Sequence, residues 1–175
     1  AHADPSADWP AVFLAMHASF VAKNVDAERV VPARDWFLGV FTTAIEMDEL
    51  VTEIRVPTPP ARSGGAYRKL ERRAGDFATV AVAAQVTLGT DGKIAAAGLA
   101  VTAVSECAYA ATEAEKLLVG KAPDEALYRA AGQAAAAQAQ PASDSHGPAE
   151  YKRSMTVEMT ARALRAAVER AAARR

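Results

Sequence analysis

One hairpin constrains this chain more than any other feature. Val80, Val82, Ala84, Val86 and Leu88 alternate with smaller or polar residues, Asp91-Gly92 supplies the positive φ angles of a tight turn, and Ile94 to Val104 runs back. A period of two sustained on both sides of a turn is the signature of paired strands, because successive side chains in a strand point to opposite faces. The stretch Ala66 to Arg72 adds a further antiparallel strand, and the small side chains of Ala95, Ala96, Ala97 and Gly98 leave room for helices to lie close. Helices are predicted downstream. Thr112 and Glu115 have capping-box spacing at the first, Pro123-Asp124 opens the second, which is alanine-rich through Ala139, and Pro148 opens the third, with Val157, Ala161, Leu164 and Val168 on one stripe. The alanine tracts are good helix formers with no repeat period.

Upstream, the polar loop Ala1 to Asp8 feeds a helical stretch Trp9-Pro10-Ala11-Val12-Phe13-Leu14-Ala15-Met16, with Pro tolerated in its first turn. Ser19 to Ala22 and Glu28 to Pro32 form a small hairpin around Lys23-Asn24-Val25-Asp26. Arg34 to Gly39 is expected as a one-turn helix stopped by glycine, and Leu50 to Val56 as a strand ended by Pro57. Pro57 to Gly65 is the most linker-like part of the chain, read as a long turn inside a sheet with a domain boundary just before it. The class is therefore α+β: residues 1–52 as the remnant of an α/β subdomain, then residues 53–175 as a domain with a three- to four-stranded antiparallel sheet packed on three helices.

Composition narrows the functions available. With 51% hydrophobic residues over 175, the chain buries a real core. A formal net charge of -1 gives no excess that would drive wholesale binding to nucleic acid or to an anionic membrane. The single cysteine, Cys107, rules out an internal disulfide and any all-cysteine metal or iron–sulfur site in this chain, and fits a reducing, cytoplasmic setting. No apolar run approaches the roughly 20 residues of a membrane-spanning helix. His2, His17 and His146 are scattered without carboxylates at ligand spacing, and Asp144-Ser145-His146, being adjacent in one loop, cannot form a hydrolytic triad with one another.

Chemistry concentrates in Ala66-Tyr67-Arg68-Lys69-Leu70-Glu71-Arg72-Arg73-Ala74-Gly75-Asp76-Phe77-Ala78. On a strand Tyr67 and Lys69 share a face while Arg68 points away, so a ring and an ammonium could address one flat, electron-rich or anionic ligand together. The same residues also suit a solvated edge strand whose cations discourage pairing, with Tyr67 covering the core, and residue chemistry alone favours that plainer account.

The order of segments shifts the balance. The loop Ala1 to Asp8, then Pro32-Ala33-Arg34-Asp35-Trp36-Phe37, then Glu49 to Pro57, then Ala66-Tyr67-Arg68-Lys69 with Arg73 to Ala78, and finally Pro141-Ala142-Ser143-Asp144 with Gly147 to Arg153, closely resembles the medium, FAD-binding subunit of the carbon monoxide dehydrogenase and xanthine dehydrogenase family of molybdenum hydroxylases. The resemblance implies FAD held between two N-terminal subdomains and a C-terminal domain, its pyrophosphate on two glycine-rich loops. Neither loop is in this sequence, and the second is expected immediately before Ala1, so the resemblance implies a chain lacking the N-terminal part of the subunit.

The same resemblance implies a site. Asp8 matches an acid that hydrogen-bonds the cofactor, with Asp4 beside it; Val51 matches an aliphatic position whose backbone contacts the flavin ring; Tyr67 matches an aromatic over one face of that ring. Lys69 lies where a lysine approaches the flavin, with Arg68 as a competitor. A carboxylate suits ribityl hydroxyls or a ring N–H and would repel phosphates. The implied partners are a large subunit carrying the molybdenum cofactor and a small subunit carrying [2Fe-2S] clusters, with FAD passing electrons to a terminal acceptor. The alternative is a non-catalytic assembly or docking module that binds no flavin by itself.

Overall fold

The computed structural model describes residues 2–174; Ala1 and Arg175, the outermost residues of the opening loop and of the terminal arginine pair, lie outside the described residues. Helix α1 spans Asp8–Ala15, and β1 (Ser19–Lys23) and β2 (Glu28–Pro32) form the expected hairpin. A 3-10 turn at Ala33–Asp35 leads to β3 (Phe37–Gly39), β4 (Thr42–Thr43) and β5 (Leu50–Arg55), the last of which pairs antiparallel with β1. After Pro57 come β6 (Ser63–Leu70), β7 (Val80–Leu88), β8 (Ile94–Thr102) and β9 (Tyr109–Ala110), joined in that order into a four-stranded antiparallel sheet. Helices α2 (Thr112–Leu118), α3 (Glu125–Gln138) and α4 (Ala149–Ala173) complete the chain. The expected α+β class, with three helices on a four-stranded antiparallel sheet, holds.

This sheet is covered on both faces, which explains why its polar alternation is faint. Val80, Val82, Ala84, Val86 and Leu88 face a core built with Leu99, Leu118, Tyr128 and Leu164 from the three later helices and β8. Ala83 and Ala100 belong to a second core with Leu14, Ala15, Phe20 and Trp36. Side chains on that second face are small because α1 lies directly on it: a Cβ at Gly98 would collide with the Ala15 carbonyl oxygen. Each large apolar side chain such as Leu164, fully removed from water, contributes about 2 kcal/mol of transfer free energy.

Several local expectations are corrected. The hairpin turn between β7 and β8 runs over residues 89–93, with only Gly92 in the left-handed region (φ 78°) and the Asp91 carboxylate accepting from the Lys93 N–H at 3.1 Å. Gly64 and Gly65 belong to β6 rather than to a turn, because α4 presses so close that a Cβ at Gly64 would meet the Ala167 carbonyl. The one-turn helix at 34–39 is replaced by the 3-10 turn and β3: Trp36, fully buried, stacks on Phe20 with centroids 4.7 Å apart, and this packing outweighs local propensity. The capping box at α2 does not form. Ala111 is the N-cap, and the Glu115 side chain turns instead to the Arg34 guanidinium at 2.6 Å and to the Leu99 N–H at 2.8 Å, since a buried carboxylate gains more from a cation than from a cap. Asp124, by contrast, caps α3 by accepting from the Leu127 N–H at 2.7 Å. Strand β5 continues past residue 52, so the expected boundary there falls inside a paired strand.

Candidate functional site

Asp8 is the first residue of α1, and Tyr67 and Lys69 project from alternate positions of β6, so strand alternation brings both to one helix terminus. The Tyr67 hydroxyl donates to Asp8 Oδ1 at 2.6 Å, and Lys69 Nζ donates to Asp8 Oδ2 at 3.2 Å. Lys69 also meets Glu71 Oε2 at 3.2 Å. Its side chain is 16% exposed, whereas that of Asp8 is 45% exposed, so the carboxylate is the open member of the group.

Electrostatics fixes the protonation states on the strand side. Burial, reinforced by the hydrogen bond to Asp8, raises the Tyr67 phenol well above its ordinary value. Burial alone would lower Lys69, but its hydrogen bonds to Asp8 and Glu71 outweigh that and leave it raised. At neutral pH Tyr67 is therefore a neutral donor and Lys69 an ammonium. Neither is suited to shuttle protons, because a general acid or base works best with a value near the operating pH. What the arrangement can do is bind and orient. Beside it lies a concavity of about 150 Å³ lined by Ser6, Ala7, Asp8, Lys69, Gly75, Asp76 and Phe77.

The remaining expected residues lie elsewhere. Asp4 borders a second concavity, of about 430 Å³, with His2, Phe41, Thr42, Thr43 and Ile45, and its Oδ1 accepts from the Ser6 N–H at 2.8 Å. Val51 stands opposite Ala22 on β5, its half-buried side chain packed on the second core. Arg68 is on the other face of β6 and lines a groove with Glu158, Arg162 and Arg165 of α4. Of the competing pair, Lys69 is the one that reaches Asp8. Glu71 and Phe77 lie in the segment where the sequence concentrates its chemistry but carry no role assigned from sequence; for Glu71 the signal is there, because Tyr67, Lys69 and Glu71 continue a single alternation. Cys107 is half-buried, its thiol raised by burial and near the Phe37 carbonyl, which suits an inert small side chain. Among the described residues no cluster could hold a metal ion, and no helix is long and apolar enough to cross a membrane.

Comparison with known proteins gives the same frame. Residues 65–167 match the family of the CO dehydrogenase flavoprotein C-terminal domain, and residues 1–59 match the FAD binding domain in molybdopterin dehydrogenase. The chain is 43% identical over 174 residues to the carbon monoxide dehydrogenase medium chain of Afipia carboxidovorans, covering 99% of this chain and 59% of that relative. It is 38% identical to the corresponding chain of Hydrogenophaga pseudoflava, covering 98% of this chain and 60% of the relative. Among solved structures it is similar to carbon monoxide dehydrogenase from Hydrogenophaga pseudoflava lacking the Mo-pyranopterin moiety of its cofactor (TM-score 0.93, 41% identity, 97% of this chain and 58% of that one). It is also similar to quinoline 2-oxidoreductase from Pseudomonas putida 86 (TM-score 0.88, 31% identity, 98% and 59%). The chain thus spans about three-fifths of the length of the curated relatives it matches. With one family matched across its sheet and later helices and another across its first third, the chain belongs to the carbon monoxide dehydrogenase flavoprotein family.

Proposed function

We propose that the chain serves in the flavin subunit of a molybdenum hydroxylase-type oxidoreductase, where FAD carries electrons from iron–sulfur clusters to a terminal acceptor. The observation that carries this reading is the convergence of Asp8, Tyr67 and Lys69 beside an open concavity. Asp8 retains unused lone pairs and Lys69 a third N–H, a set that suits the hydroxyls, ring N–H and ring carbonyls of a flavin. Asp8 and Asp76 make this concavity unsuited to a pyrophosphate, so it fits the ribityl and ring portion of FAD rather than its phosphates. Bound FAD would supply two-electron chemistry that can be released in single steps. This chain would hold and orient it: at this concavity Asp8 as acceptor and Lys69 as a fixed cation, with Tyr67 holding Asp8 and proposed as an aromatic wall, and, at their separate places, Asp4 as a further acceptor and Val51 through its backbone.

The names of the relatives, a medium chain, a subunit of a dehydrogenase complex and a dehydrogenase with a Mo-pyranopterin cofactor, support a multi-subunit assembly. The proposal gives that assembly a large subunit with the molybdenum cofactor and a small subunit with [2Fe-2S] clusters, in a cytoplasmic complex. Two units are proposed within the chain, divided after β5 in the proline-rich link that follows Pro57 rather than at residue 52. Titration of the apo form of the full-length subunit with FAD tests the site: Asp8→Asn is expected to weaken binding at least tenfold, and Tyr67→Ala to alter flavin reduction or reoxidation rates with the fold intact. Unchanged affinity and kinetics in both variants would favour the docking-module alternative.

A further inference from the structure

Left-handed backbone at non-glycine residues is uncommon, and here much of it gathers on one loop. Ala3 (φ 51°), Phe41 (φ 49°) and Ala103 (φ 72°) all lie in that region. Ala3 is within the loop; Phe41 donates its N–H to the Ala3 carbonyl at 3.2 Å, and Ala103 donates its N–H to the Pro5 carbonyl at 2.9 Å. Such conformations persist only where the surroundings over-determine them, and they concentrate where a segment must be held in one shape.

Thr102 completes the hold. It is fully buried at the end of β8, paired with Ala81 of β7, so its position is set by the sheet. Its hydroxyl donates to the Pro5 carbonyl at 2.8 Å and lies 3.1 Å from the Ala7 carbonyl, sharing one hydrogen between them. Because the peptide group is planar, holding the Ala7 carbonyl holds the plane of the Ala7–Asp8 peptide and with it the Asp8 N–Cα bond, from which the helical backbone of α1 sets the direction in which the side chain leaves. Asp8 needs that direction to meet Tyr67 at 2.6 Å and Lys69 at 3.2 Å with its remaining lone pairs turned outward.

We propose that Thr102 is a positioning residue of the candidate flavin site: through Pro5 and Ala7 it casts the loop that presents the Asp8 carboxylate. The inference rests on the reading of Asp8 as a flavin contact. Thr102 touches no ligand itself, and its effect passes entirely through the loop backbone.

The test uses the full-length subunit with Thr102→Val, which keeps the shape and removes the hydroxyl, and Thr102→Ser, which keeps the hydroxyl. Hydrogen exchange of the peptide covering residues 3–8 is read in the flavin-free protein, and FAD affinity and flavin midpoint potential in the loaded one. Thr102→Val is expected to speed exchange of that peptide about tenfold, weaken FAD binding about tenfold and shift the potential, with exchange elsewhere in β7 and β8 unchanged; Thr102→Ser is expected to restore all three. Unchanged loop exchange in Thr102→Val overturns the clamp. Faster exchange with unaltered affinity and potential overturns the positioning role, as does failure of Thr102→Ser to rescue. If Asp8→Asn leaves affinity unaltered, the reading of the site fails, and the exchange comparison still decides whether Thr102 holds the loop.

Discussion

Tyr67 and Asp8 meet at 2.6 Å across 59 residues of chain, a phenol donating to a carboxylate. The bond ties the first turn of α1 to the edge strand of the four-stranded sheet, alongside the contacts of Lys69 with Asp8 and of Thr102 with Pro5. Burial and the same bond hold the phenol protonated, which makes Tyr67 a permanent donor and leaves Asp8 free to accept from elsewhere with its other lone pairs.

Tyr67→Phe removes that bond while keeping the ring. A hydrogen bond to a charged group is worth roughly 1.5–3 kcal/mol when shielded, and partial exposure of Asp8 reduces this to about 1 kcal/mol. The expected result is a lower denaturation midpoint with unchanged slope. A midpoint equal to that of the unaltered protein would mean that the bond contributes nothing net.

Gly98→Ala should disturb the site from a distance. The added methyl collides with the Ala15 carbonyl oxygen, and the nearest relief is movement of α1 away from β8. Overpacking of this kind costs roughly 1–3 kcal/mol, and displacing α1 also moves Asp8 relative to Tyr67. Denaturation together with the position of the Tyr67 hydroxyl proton resonance measures both effects. Loss of stability without any change in that resonance would show that α1 adjusts only at its C-terminal end.

The hairpin of β7 and β8 and the long helices were legible because their periods are local. Val80 to Leu88 declares a strand in nine residues, and Pro123-Asp124 and Pro148 mark the helix starts that form. The same is true of the face shared by Tyr67 and Lys69. What escaped was decided by distant neighbours. Trp36 unwinds an expected helix by stacking on Phe20, and Gly64 looks like a linker residue until α4 is seen to press on it. Glu115 has the spacing of a cap yet serves Arg34, which is 81 residues away. The grouping of left-handed Ala3, Phe41 and Ala103 around one loop carries no sequence signal either, since alanine and phenylalanine give no hint of a positive φ.

Glu115 offers a comparison between charge and acceptor. Its carboxylate, 11% exposed, binds Arg34 through both oxygens at 2.6 and 2.8 Å and also accepts the Leu99 N–H. Glu115→Gln keeps an acceptor for Leu99 and loses the ion pair; Glu115→Ala loses both and leaves a buried N–H unpaired. An unpaired buried donor costs roughly 1–3 kcal/mol, so Glu115→Ala should be less stable than Glu115→Gln by about 2 kcal/mol. Equal stability of the two variants would mean that water or a shifted side chain satisfies Leu99.

Acid stability isolates a second ion pair, between Arg29 of β2 and Glu49 just before β5, in the sheet that orders β2, β1 and β5. Glu49, its side chain 7% exposed, receives Arg29 Nε at 2.6 Å and Arg29 Nη2 at 2.7 Å, and the Glu46 N–H at 2.8 Å; Arg29 also reaches the Ala44 carbonyl. The Arg29 hydrogen bonds, followed by that from Glu46, hold the Glu49 carboxyl down to about 2 from an ordinary 4.5. A folded value below the unfolded one means that the unfolded chain binds a proton first as pH falls. The stabilisation is therefore fully present above about pH 4.5, and it is lost progressively as pH drops toward about 2. Melting temperature against pH for the unaltered protein and for Glu49→Gln separates this group from other acids held low by cations, such as Asp144 beside Lys152 and Glu125 beside Arg165. The gap between the two proteins should be constant above pH 5.5 or so and close steadily below 4.5. A gap that stays constant down to pH 2 would show that Glu49 acts through packing and hydrogen bonding rather than through its charge, and the absence of any gap would show that Arg29 holds the loop through the Ala44 carbonyl alone.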